Sequence, residues 1–399
     1  MSETLSATPA DLQASWRDGA TALRQGRPAD ALPHFRRIVD SGQANAAVWI
    51  GIALATKQLG DIPAHKEALA AALRLDPRDI RALLMTADNH AADGDARAAS
   101  SYYDAVVKVA VAAGTVEKSM EAEVGRALHM REQYARAYAA HLDAELGPRG
   151  LDAPAGRRAR KAVDLLTGRR ELYLQQPKAL YFPELPNIEW AERAAFPFLD
   201  KVEAATDAIR AELRQVLAED SAFSPYVELE ANRPFFDDHG MLGNPDWSAF
   251  YLWKAGAPVP ENAARCPATM AALEEAPLCR IAGRTPSILF SLLRPGAHIQ
   301  PHHGFMNARY VCHLPLIVPD GCAMRVGGET RPWVEGQACV FDDTIEHEAW
   351  NRHPDQLRVV LIFDIWRPEL TAEERELVAA VLQAVDSYGG GDRVTVPDA

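Results

Sequence analysis

The chain has 399 residues, with 42 basic and 55 acidic side chains and hence a net charge of −13 when histidine is neutral. At about 100–200 residues per domain this allows two or three domains with ample core, and the acidic balance argues against wholesale binding to nucleic acid or an anionic membrane. Hydrophobic residues at 48% and charged residues at 24% are the usage of an ordinary soluble protein and exclude a disordered or fibrous one.

No stretch approaches the roughly 18 uninterrupted apolar residues of a membrane span. The start, Met1-Ser2-Glu3-Thr4-Leu5, lacks the positive and apolar regions of a secretory signal. Five cysteines without a C-x-x-C pair fit reduced thiols better than a disulfide framework or a zinc ribbon, so a cytoplasmic location is expected.

In chain order, residues 1–146 are rich in alanine and repeat themselves. Gly26, Gly60 and Gly94 stand 34 apart, each after an amphipathic run (20–25, 50–59 and 83–93). In the same register small residues recur at Gly19, Ala53 and Ala87, and bulky ones at Phe35, Leu69 and Tyr103. This period resembles the tetratricopeptide repeat, two antiparallel helices with small residues where they approach. Trp49, Ala53, Gly60, Ala72 and Pro77 of the second unit fall on that pattern, while His65 replaces its usual alanine. Two clear repeats and a degenerate third are expected, with 116–146 as a capping helix pair. Such arrays present a concave surface that docks a peptide, a partner or a second subunit.

Residues 147–180 read as a linker. Gly147-Pro148-Arg149-Gly150 and Ala153-Pro154-Ala155-Gly156 break the helical pattern, and Arg157-Arg158-Ala159-Arg160-Lys161 opens a helix running to about Leu174. Residues 191–217 read as one or two helices. After Pro286 short β-like runs (287–293, 309–318, 322–326, 338–341 and 357–366) alternate with turns such as Pro295-Gly296, Gly327-Gly328 and Glu335-Gly336. This texture predicts an antiparallel barrel or jelly roll over 181–385. The tail 386–399, with Gly389-Gly390-Gly391, is expected to be flexible.

Six of the twelve histidines (His298, His302, His303, His313, His347 and His353) fall between residues 298 and 353. Neutral imidazole is the commonest nitrogen ligand of iron, zinc and copper, so this clustering on a β scaffold proposes a metal. Competing signatures are missing: there is no H-E-x-x-H, G-x-x-x-x-G-K-[ST] or G-x-S-x-G.

Three stretches then stand out. One is Leu292-Leu293-Arg294-Pro295-Gly296-Ala297-His298-Ile299-Gln300-Pro301-His302-His303-Gly304, followed by Asn307-Ala308-Arg309 and Cys312-His313-Leu314. The second is Phe341-Asp342-Asp343-Thr344-Ile345-Glu346-His347-Glu348-Ala349-Trp350, and the third is Leu357-Arg358 through Phe363-Asp364-Ile365-Trp366-Arg367-Pro368-Glu369-Leu370. Together they resemble the aspartyl/asparaginyl β-hydroxylase family over about residues 181–375. The order of repeats followed by hydroxylase also looks like that family's animal members.

The resemblance implies a double-stranded β-helix that binds Fe(II) and 2-oxoglutarate and uses O2. His302 and His347 match the family's two iron ligands. Related oxygenases add a carboxylate two positions after the first histidine, and here that position is Gly304, as in the family. Trp247, Ser291, His313 and Arg358 match its 2-oxoglutarate contacts, and Arg309 matches an arginine placed on the substrate carboxylate. Val311 stands where the family often has a second arginine, Leu289 where a lysine or arginine is expected, and Met241-Leu242 where a further basic group belongs.

The expectation is therefore a 2-oxoglutarate-dependent dioxygenase hydroxylating a C–H bond, taken as the β-carbon of an aspartyl or asparaginyl residue in a peptide or protein. The alternatives are hydroxylation of a small molecule or lipid acyl chain, and a non-catalytic repeat scaffold.

Overall fold

In the computed structural model the described residues are 8–115, 117–219, 222–227, 240 and 242–388. Met241, Val116 and most of the tail 386–399 lie outside them. The chain divides into two compact units, Met1–Arg169 and Arg170–Ala399, and the division falls inside the stretch read as a linker.

The first unit is a run of helical hairpins: α1 (Pro9–Arg24) with α2 (Pro28–Asp40), α3 (Ala46–Gln58) with α4 (Ile62–Leu75), and α5 (Ile80–Ala92) with α6 (Ala96–Ala113). The starts of α2, α4 and α6 keep the 34-residue period. Asn45, Asp61, Asp79 and Asp95 each accept the amide of the third residue of the helix they open, a cap worth about 1 kcal/mol. Gly26, Gly60 and Gly94 turn each pair at φ of +69°, +79° and +78°, a conformation that glycine adopts without steric cost. Close approach explains the small residues, since a Cβ on Gly51 would lie 2.7 Å from the Phe35 ring. His65 is fully buried, with Nδ1 2.7 Å from the Ala53 carbonyl.

The third repeat, degenerate in sequence, still forms a full hairpin. One expectation for this unit changes. The capping pair expected over 116–146 is a short 3-10 turn (Lys118–Met120) and one long helix, α7 (Glu121–Leu146), because no glycine or proline interrupts residues 126–146. Helix α8 (Arg157–Leu166) also stops short of Leu174, at Thr167 and Gly168, where φ of +70° ends it.

The second unit opens with α9 (Leu199–Ala204) and α10 (Thr206–Leu217). Its strands and remaining helices follow: β1 (Ser224–Pro225), β2 (Trp247–Lys254), β3 (Ala257–Pro258), α11 (Pro260–Ala263), α12 (Pro267–Ala272), β4 (Ile288–Leu293), β5 (His298–His302) and β6 (Arg309–Ile317). After these come β7 (Cys322–Val326), β8 (Glu329–Pro332), β9 (Cys339–Phe341), β10 (His347–Asn351), β11 (Arg358–Trp366) and α13 (Ala372–Ser387). The strands make two antiparallel sheets, one in the order β1-β2-β4-β11-β6-β9 with β3 on β2, the other β5-β10-β7-β8.

The two sheets share one core, in which Leu293, Val311, Phe341 and Val360 of the large sheet meet Ile299, Met324, Val326 and Ala349 of the small one. This is the two-sheeted arrangement that a jelly roll requires. Strand alternation sorts the residues. In β11, Val359, Leu361, Phe363 and Ile365 join the cluster that α9 and α10 cover on the outer face, so Arg358, Val360, Ile362 and Asp364 face the other sheet. By the same parity Leu289 and Ser291 of β4, and Arg309, Val311 and His313 of β6, face inward. A slip of one residue would exchange the two sets and bury the charges in the outer core, so apolar burial on one face specifies the polar cluster on the other.

Among the described residues no helix is long and apolar enough to cross a membrane, and the five cysteines form no disulfide.

Candidate active site

His302 ends β5 and His347 starts β10, and the two are direct partners in the small sheet's register. Their ring centroids lie 4.1 Å apart. His302 Nδ1 lies 2.7 Å from the Gln300 carbonyl and His347 Nδ1 3.1 Å from that of Ile345, so each Nδ1–H donates to backbone and leaves the lone pair on Nε2. That tautomer is the one in which imidazole ligates a metal through Nε2. Burial first, then the neighbouring His302, hold His347 well below the ordinary histidine range.

The turn before His347 is held from beneath. Asp342 and Arg367, both fully buried, pair at 2.9 Å, and Gln175 donates to the same Asp342 oxygen at 2.6 Å. The Thr344 amide and hydroxyl bond the other oxygen.

All seven residues singled out in the sequence line one cavity between the sheets. Trp247 Nε1–H donates to Ser291 Oγ at 3.1 Å, and Tyr226 stacks on Trp247 with centroids 4.0 Å apart. Arg358 is 1% exposed. Its guanidinium lies 4.7 Å over the Trp333 ring and donates to the Ser291 carbonyl at 3.4 Å, while its buried Nε has no hydrogen-bond partner. Burial pushes its pKa down to about 10. His313 is buried beside it, also with Nδ1 unpartnered, and burial followed by the Arg358 charge pushes it down to about 3.

A buried cation that no carboxylate of the described residues pairs with is costly. It is offset when an anion enters the cavity and takes the open donor. This donor set therefore fits a carboxylate-bearing ligand, and the two facing imidazoles fit a metal ion. Among the described residues no cluster of three or more histidine, cysteine, aspartate or glutamate side chains forms, so a metal here would have two protein ligands.

Arg309, which the resemblance puts on a substrate carboxylate, lines the same cavity. Its guanidinium lies between two carboxylates of the chain, 2.8 Å from Asp343 and 2.7 Å from Asp364, and is 2% exposed. Asp343 and Asp364 were not singled out in the sequence. For Asp364 the available signal was a lone charge inside the apolar run Leu361-Ile362-Phe363-Asp364-Ile365.

Gly304 explains why no third ligand stands two positions after His302. A Cβ there would lie 2.0 Å from Asp343 Oδ2, and the Gly304 amide donates to the Asp343 carbonyl at 2.6 Å. Restoring a carboxylate by Gly304→Asp is therefore expected to weaken metal binding, and to destabilise the fold by about 1–3 kcal/mol or more through overpacking. Metal titration and thermal melting check this, and tighter binding in the variant would refute it.

Acid sensitivity follows from His313 and His347. Their folded values lie below the unfolded value of about 6.5, so the unfolded chain takes up protons first. Stability from these groups is full above about pH 6.5 and is lost as the pH falls, by up to about 1.4 kcal/mol per pH unit for each. Urea melts of metal-free protein at successive pH values from 7.5 downward measure that slope, and a flat profile would contradict it.

Comparison with known proteins agrees with this geometry. Residues 203–368 match the family described as Aspartyl/Asparaginyl beta-hydroxylase. The mouse aspartyl/asparaginyl beta-hydroxylase is 39% identical over 148 residues, 36% of this chain and 19% of that protein. The ornithine lipid ester-linked acyl 2-hydroxylase of Rhizobium tropici is 36% identical over 192 residues, covering 47% of this chain and 64% of its own. Human aspartate beta-hydroxylase domain-containing protein 2 is 31% identical over 207 residues, 51% of this chain and 54% of its own. The matched region is thus about a fifth of the mouse protein and less than two thirds of the others. Among solved structures, PcrH from Pseudomonas aeruginosa aligns at TM-score 0.30 with 19% identity, over 34% of this chain and 98% of its own. The TPR2B domain of yeast Sti1 aligns at TM-score 0.28 with 16% identity, over 31% of this chain and 98% of that one.

Residues 203–368 thus resemble the aspartyl/asparaginyl β-hydroxylase family, and helical repeats precede them.

Proposed function

We propose that the protein is an Fe(II)- and 2-oxoglutarate-dependent dioxygenase that hydroxylates a C–H bond, at the β-carbon of an asparaginyl or aspartyl residue in a peptide or protein. The observation that carries this reading is Arg358, a buried guanidinium with an open donor in the cavity that also holds the paired His302 and His347.

In this reading His302 and His347 hold the iron, and Arg358 takes the distal carboxylate of 2-oxoglutarate through charge-assisted hydrogen bonds. The Ser291 hydroxyl, itself oriented by Trp247, adds a donor, and His313 stays neutral and supplies a further polar contact. The bound iron and keto acid supply oxidative decarboxylation and the oxidising equivalent for the C–H bond. The chain's own contribution is to bind, to orient, and to exclude water from a site walled by Phe341, Met324, Ile299 and Val311. The helical repeats are proposed to dock a peptide or protein partner, and the protein is proposed to work in the cytoplasm.

A second reading, hydroxylation of an acyl chain, is favoured by the likeness to the Rhizobium lipid hydroxylase and by the pairing of Arg309 with aspartates. The experiment is anaerobic loading of the purified protein with Fe(II), 2-oxoglutarate and either a lysate-derived peptide pool or a lipid extract, followed by oxygen. Succinate coupled to a +16 Da product is expected in the peptide arm. A product in the lipid arm alone establishes the second reading, and no succinate in either arm removes both.

A further inference from the structure

We infer that the end of the cavity around Arg309 receives an uncharged group, so the hydroxylated residue is one whose side chain carries no carboxylate. This rests on the hydroxylase reading above and narrows its substrate.

Register separates the two ends. Arg358 and Asp364 are six residues apart on the inner face of β11, about 20 Å at the rise of a strand. Arg358 pairs in register with Leu293, whereas Asp364 pairs with Val311 and its neighbour Trp366 with Arg309. Arg358 and Arg309 are the arginines among the described lining residues, and no lysine is among them. The Arg358 end has an open donor, which the proposed 2-oxoglutarate carboxylate takes.

The Arg309 end differs. Its guanidinium already faces two carboxylates, Asp364 at 2.7 Å from one terminal nitrogen and Asp343 at 2.8 Å from the other, so its single positive charge is countered twice over, whereas Arg358 has no carboxylate partner among the described residues. Leu289, Val311, Ile362 and Gly304 also line the cavity, and the Ser287 amide donates to Asp364 at 2.8 Å. A carboxylate entering here would lie close to both aspartates, and like charges so placed repel. An amide or an aliphatic side chain meets no such opposition.

The test uses three degenerate peptide libraries of equal length with aspartate, asparagine or leucine fixed at the centre. Fluorescence anisotropy of labelled libraries on the full-length protein measures binding, and succinate with +16 Da product measures turnover. Asparagine- and leucine-centred libraries are expected to exceed the aspartate library at least tenfold in both. Preference for aspartate, or no discrimination among the three, overturns the inference.

If no library yields succinate while anisotropy still ranks them as expected, the hydroxylase reading fails and the charge selectivity stands. The variant Asp364→Asn, which removes one of the two carboxylates facing Arg309, should raise the aspartate library at least tenfold relative to leucine, and an unchanged ratio also counts against the inference. Should that variant not fold, the wild-type ranking decides alone.

Discussion

Arg358→Met should bind 2-oxoglutarate at least about a hundredfold more weakly while the ligand-free protein becomes more stable. The two effects share one cause. In the ligand-free chain the guanidinium is buried, touches a ring face and a carbonyl, and has no carboxylate partner among the described residues, so it opposes folding. Replacing an uncompensated buried charge by an apolar side chain of similar length is expected to add about 1–3 kcal/mol to stability. With the ligand present the same charge is one half of a desolvated ion pair, whose truncation costs about 2–5 kcal/mol.

Arg358→Lys should not rescue binding, because an ammonium cannot reproduce the planar fork. Calorimetric titration of 2-oxoglutarate and thermal melts with and without it measure both effects. A variant that melts lower than wild type and still binds 2-oxoglutarate normally would show that Arg358 serves packing alone.

His302→Ala and His347→Ala should each abolish iron-dependent succinate formation, by at least about a thousandfold or about 4 kcal/mol of barrier. The reason is the small number of ligands. A site with two protein donors loses half of its protein coordination with either substitution, and Gly304 leaves no carboxylate to compensate. The double variant should be no worse than either single one, since groups acting on one ion are not additive. Iron titration and succinate assays decide this. Wild-type iron affinity in either variant would mean that the close approach of the two rings has another purpose.

Much of the second unit was legible as strands. The runs 287–293, 309–318, 322–326, 338–341 and 357–366 correspond to β4, β6, β7, β9 and β11 within a residue or so at each end, because long apolar strands buried on both faces leave an unmistakable pattern. The strands that carry the two facing histidines were not found by periodicity. β5 reads His-Ile-Gln-Pro-His and β10 His-Glu-Ala-Trp-Asn, short and polar, with a proline in the first. A strand that places ligands on its inner face cannot also show an apolar one there, so chemistry erases the signal that would reveal it. β2, Trp247–Lys254, was missed as well: it is buried at its start and exposed at its end, so it neither alternates nor runs apolar throughout.

In the first unit glycines at a fixed period and the small and bulky positions between them foretold the hairpins. The length of α7 was not foretold, because a capping helix has no following repeat to set its register.

By itself the amino-acid sequence determined the two-part architecture, the repeat period and the residues of the site, because periodicity and short motifs are local properties of a chain. Tertiary structure alone decided which charges meet: that Arg309 is gripped by Asp343 and Asp364, that Asp343 fills the space beside Gly304, and that Arg358 keeps an open donor in the cavity. The physical reason is that the Coulomb energy of an arginine depends on what lies within a few ångströms of it, and its neighbours here come from segments 34 to 67 positions away in the chain.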